Sequence, residues 1–157
     1  MFSAISAGFF LVLAGMFFVT VPNLYDKIVA FFSDISTQPL VQVPNMSNVS
    51  LPAPHDPHSV IYTTVMQFCL IWGIFLAALL AARFFAHSPT RKKADNLGDI
   101  FFWLGAAYVS EIWLVNSGSV AVSVLAWFEF WAAIIVLIGV SLIARAIFLA
   151  AAWMTRA

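Results

Sequence analysis

Four long apolar runs, separated by short polar or proline-rich stretches, constrain this chain more than any other feature. They cover residues 2–21, 60–86, 100–117 and 120–152. An α-helix needs about 20 predominantly apolar residues to cross a hydrocarbon core of ~30 Å. Inside that core only helices and closed barrels satisfy their own backbone hydrogen bonds. With 63% hydrophobic and 9% charged residues among 157, the chain carries more apolar surface than a soluble domain of this length can hide. The expected fold is an all-α integral membrane protein, a single membrane domain over residues 1–157 built as a bundle of four transmembrane helices. The first run lacks a basic n-region and a small-residue cleavage site, so it reads as a retained helix rather than a secretory signal.

Orientation follows from the basic side chains. Of the seven Lys and Arg residues, Arg83, Arg91, Lys92, Lys93, Arg145 and Arg156 fall late in the second run, in the connection to the third, or near the end of the fourth. With four spans these places share one side of the membrane. The positive-inside rule makes that side cytoplasmic, together with the N and C termini. Only Lys27 is left outside. The implied location is the cell membrane, as a multi-pass protein. The Arg91-Lys92-Lys93 cluster lies in segment 87–99, expected as a cytoplasmic loop; it reads either as a lipid headgroup patch or as a topology determinant. Seven acidic residues balance the seven basic ones, which suggests no nucleic-acid partner. The lipid bilayer is the first partner.

Between the first two spans, Pro22 interrupts the apolar pattern. Leu24, Ile28, Phe31, Phe32 and Ile35 then recur on one helical face, which predicts a short amphipathic helix on the outer membrane surface or a bent continuation of the first span. Pro39, Pro44, Pro52, Pro54 and Pro57 exclude regular helix from the rest of the segment, an outer loop reaching residue 59. Asn45 and Asn48 in that loop head N-x-S sequons and are glycosylation candidates. His55, Asp56 and His58 offer two imidazoles and a carboxylate within four residues, an incomplete metal set that needs a further ligand. The alternative is a solvated turn before the second span.

Glu111 and Glu129 are the chemically informative residues, because both lie within apolar sequence. A carboxylate near mid-bilayer is unfavourable by about 2.5 kcal/mol or more unless it is paired, hydrated or protonated. Counting about 1.5 Å per residue from a bend near Gly118 places Glu111 roughly 10 Å and Glu129 roughly 17 Å below the outer turn. Thr63, Thr64 and Gln67 share one face of the second helix. A polar track is therefore expected from Thr63 and Asn116 through Gln67 and Glu111 to Glu129, with Tyr108 placed to donate to a carboxylate. Arg145 lies about 24 Å beyond Glu129 along the helix and is expected to snorkel to cytoplasmic headgroups.

The remaining signals concern packing. Gly73, Ala77 and Ala81 form a small-residue stripe that permits close helix approach. Trp103 and Trp153 are expected near the cytoplasmic boundary and Trp113 near the outer one, with Trp72, Trp127 and Trp131 deeper. Cys69, the single cysteine, reads as a buried thiol. The fourth run is longer than a span requires, so it must tilt or project into the cytoplasm.

Two functions fit these residues. In the first, copies assemble as a homo-oligomer whose membrane glutamates carry cations or protons, since four short spans cannot enclose an aqueous path alone. In the second, the chain is a non-catalytic accessory or assembly subunit of a larger complex, and its glutamates bond across helices or face a basic residue of other membrane subunits. The spans hold no His, no HExxH pair and no Ser-His-Asp set, so no enzymatic role and no cofactor are expected.

Overall fold

A computed structural model describes residues 2–37, 41–43, 46–49, 55–115 and 124–154. In chain order these form α1 (Phe2–Thr20), α2 (Leu24–Thr37), β1 (Val41–Val43), β2 (Met46–Val49), α3 (His55–Phe85), α4 (Thr90–Ser110), a π-helical turn (Glu111–Val115) and α5 (Val124–Met154). Three helical stretches, His58–Phe85, Thr90–Val115 and Glu129–Met154, are long and apolar enough to cross a membrane, and α1 with α2 forms a fourth candidate bent by 91°. The bend has a local cause. Pro22 supplies no N–H to continue α1, and Asn23 takes a left-handed φ of 56°, a conformation its short polar side chain tolerates.

Two connections differ from the sequence expectation. The proline-rich segment contains a short antiparallel hairpin, with Val41 opposite Val49 and Val43 opposite Met46. Segment 87–99, expected as a loop, is helical from Thr90 onward. Here α3 ends in a tight reversal: His87 adopts φ 49°, its N–H donates to the Phe84 carbonyl at 3.3 Å, and the Ser88 N–H donates to the Arg83 carbonyl at 3.1 Å. This paired C-terminal cap closes α3 within three residues. Polarity misled the reading because Lys, Arg, Ala and Leu are good helix formers whether or not lipid surrounds them.

Among the described residues, α4 is flanked by α3 on one side and α5 on the other, while α1 packs against α3 and α2. The inward face of α3 carries Tyr62, Cys69, Gly73 and Leu76. Steps of seven, four and three are the spacing of left-handed helix packing. A Cβ on Gly73 would collide with the Leu104 side chain, and one on Gly105 with Leu137, so these two glycines set the approach of α3 and α5 to α4. The expected Gly73-Ala77-Ala81 stripe is not the packing ridge, because Ala77 and Ala81 are exposed. A seam that repeats every 3.5 residues drifts away from a strict i+4 row.

Aromatic rings fill the space between α1, α3 and α4. Phe9 stacks on Phe75 with centroids 3.9 Å apart, and Trp72 meets Trp103 edge-on at 6.4 Å. Trp103 therefore belongs to this interhelical cluster. Cys69 is buried beside Ala106 and Ala107.

Candidate functional site

Glu129 is the sixth residue of α5, and its Oε2 accepts a hydrogen bond of 3.1 Å from Trp113 Nε1 in the π-turn. The sequence count placed Glu129 deeper than Glu111. Its contact with Trp113 instead brings it level with the π-turn that Glu111 opens. Glu129 lies about 7.5 Å along the axis from Val124, the first described residue of α5.

A core cluster fixes the level of this contact. Tyr62, Val109, Leu114 and Phe130 are buried together, with Phe31 of α2 and Trp113 packed against them. Phe31 also meets His58 edge-on at 5.3 Å. The amphipathic helix α2 thus caps the end of the α3–α4–α5 group at which the glutamates sit. The amphipathic face of such a helix suits the membrane surface.

Glu111 opens the π-turn. Its backbone N–H is shared between the carbonyls of Ala107 and Tyr108, while its side chain is exposed. Short π-helical insertions recur at functional positions. Tyr108 and Gln67 are exposed as well, and the Thr64 hydroxyl donates to its own helix at the Val60 carbonyl, 2.6 Å away. Among the described residues no hydrogen bond joins Gln67, Tyr108, Glu111 and Glu129, so the expected track is not assembled within one copy. Packing explains this: α3 turns Tyr62, Cys69 and Gly73 inward, which leaves Gln67 outward. Asn116 lies outside the described residues.

A second polar centre lies at the opposite end of α4 and α5. Arg145 Nη2 meets Asp99 Oδ1 at 2.5 Å, with the two side chains 32% and 44% exposed. The Arg145 side chain passes directly over Gly98, where any Cβ would overlap it. Nearby, Asn96 Nδ2 donates to the Leu76 carbonyl at 2.8 Å, and Arg83 Nη1 donates to the Lys92 carbonyl at 2.7 Å. Arg145 is therefore engaged by a carboxylate of this chain. Sequence reasoning missed it because the partners stand 46 residues apart; the Gly98-Asp99 pair was the available signal.

The two contacts bracket an apolar slab. Between Asp99 and Trp113 lie fourteen residue steps of α4 and its π-turn, and between Glu129 and Arg145 sixteen steps of α5, or about 21 and 24 Å of helix. Arg83, Arg91, Lys92, Lys93 and Arg145 all gather at the Asp99 end. Lys27, on α2, lies toward the other.

The remaining candidates fare differently. His58 is buried in the first turns of α3 under Phe31, not in a solvated turn. The side chains of His55 and Asp56 lie outside the described residues, and among the described residues no group of three or more His, Cys, Asp or Glu side chains converges on a metal position. Asn45 also lies outside, while the backbone of Asn48 runs in β2. Comparison with protein-family models, curated proteins and solved structures finds no match to this chain.

Proposed function

We propose that the chain is a small multi-pass subunit of a cell-membrane assembly, non-catalytic in itself, and that Glu111 is its contact with a neighbouring chain. One observation carries this reading. Glu111 is an exposed carboxylate with no partner among the described residues, on a helix long enough to span the membrane, whereas Glu129 is engaged by Trp113. Lipid leaves such a group unsatisfied; a donor or cation on an adjacent helix satisfies it. In this reading α1 with α2, α3, α4 and α5 make a four-helix membrane unit, and both termini and the basic end are cytoplasmic by the positive-inside rule.

Exposure of Tyr108 one helical turn before Glu111 favours a second, narrower reading. If the neighbours are further copies of this chain, a ring of Glu111 carboxylates with adjacent phenols provides a cation or proton pathway between subunits. The mass of the protein extracted in mild detergent, followed by cation and proton flux in liposomes, separates the two. Fixed stoichiometry with other chains, lost in Glu111→Leu, supports the accessory subunit. A homo-oligomer whose flux collapses in Glu111→Gln supports the pathway. A monomer with neither property would sink both.

A further inference from the structure

The basic cluster at the start of α4 is divided by the fold. Lys93 Nζ sits 4.5 Å over the Phe84 ring, on the α3 side, and the Lys92 carbonyl is taken by Arg83. Arg91 instead lines a groove of about 440 Å³ with Pro89 and Thr90, closed on its other side by Leu149, Ala152 and Trp153 of α5.

Depth assigns the groove to a particular layer. Leu149 to Trp153 lie four to eight residue steps beyond Arg145, at the basic end of the apolar slab, or about 6 to 12 Å along α5. Ala152 and Trp153 then fall in the headgroup layer, where an indole is favoured. The exposed Trp153 and Arg91 line the same groove as the apolar Leu149 and Ala152. Guanidinium presents planar paired donors that match phosphate oxygens better than an ammonium does.

We propose that this groove is a binding site for an anionic phospholipid, with Arg91 on the phosphate, Trp153 against the glycerol region and Leu149 against the first acyl methylenes. The site is independent of Glu111 and stands or falls without it. It differs from diffuse attraction in a measurable way. A basic residue near an anionic membrane surface contributes about 1 kcal/mol wherever it stands, so a diffuse patch loses roughly fivefold in affinity for each of Arg91, Lys92 and Lys93 removed. A groove concentrates the loss on Arg91.

The test uses the full chain in mild detergent, titrated with phosphatidylglycerol, phosphatidylcholine or inorganic phosphate and read by native mass spectrometry. Expected is preferential phosphatidylglycerol binding that falls roughly tenfold or more in Arg91→Ala, beyond the diffuse contribution of one charge. It should fall comparably in Ala152→Trp, which fills the groove without changing charge, and persist within about twofold in Lys92→Ala. Equal losses in Arg91→Ala and Lys92→Ala would overturn the proposal, as would an unaffected Ala152→Trp. Displacement of the lipid by equimolar inorganic phosphate would also overturn it, by making the groove a site for a free anion.

Discussion

Trp113 and Glu129 are joined by a 3.1 Å hydrogen bond from the indole nitrogen to the carboxylate, which ties the π-turn after α4 to the second turn of α5. An acidic residue in apolar sequence is here matched by the donor of an aromatic residue that sequence inspection assigned only to a boundary belt. A hydrogen bond to a charged acceptor contributes about 1.5–3 kcal/mol when buried, and less at an exposed position such as this. Trp113→Phe should therefore lower thermal stability in detergent by a few degrees, a loss of about 1 kcal/mol. Glu129→Gln, which keeps an acceptor, should lose less than Glu129→Leu, and equal losses would show that the bond does not form.

At the other end of the α4–α5 pair, Asp99 and Arg145 should behave as a unit. Partly exposed pairs contribute modestly, about 1 kcal/mol or less by double-mutant cycle. Asp99→Asn and Arg145→Gln should each destabilise, and the double variant should lose less than the sum of the two. Strict additivity in equilibrium unfolding would remove the pair from the account of stability.

Gly98 makes the same pair possible by yielding its face to the Arg145 side chain. Gly98→Ala should displace the guanidinium, costing about 1 kcal/mol despite alanine's better helix propensity. In an Arg145→Ala background the same change should become neutral or stabilising. A destabilisation of equal size in both backgrounds would place the clash elsewhere.

Glycines along the helices should divide by their surroundings. Gly73 faces Leu104, whereas Gly15 has nothing within 4 Å of a Cβ position. Gly73→Ala should destabilise by about 1–3 kcal/mol through overpacking. Gly15→Ala should be neutral or stabilising by up to about 1 kcal/mol. Thermal melts of the two variants beside the parent check this ordering directly.

Sidedness is testable with a single thiol. In a Cys69→Ser background, Lys92→Cys should be labelled by an impermeant maleimide only from the cytoplasmic side, and Lys27→Cys only from outside. Labelling of both from one side would overturn the orientation drawn from the basic residues.

The amino-acid sequence by itself determined the class of fold. Long apolar runs leave helices as the economical way to satisfy backbone groups in lipid, so the spans around α3, the π-turn end of α4 and the body of α5 were legible from composition and length alone. The break at Pro22, the amphipathic α2 and the gathering of basic residues at one end were legible too, because each depends on local chemistry or on spacing along the chain. What the tertiary structure alone decided is which polar groups meet. The inward face of α3 left Gln67 outside. The register of α4 against α5 brought Arg145 to Asp99 and Trp113 to Glu129. A one-residue step rotates a helical side chain by about 100°, so partners across a helix pair depend on where each helix begins and which seam it packs. Neither is written in the hydropathy of the runs.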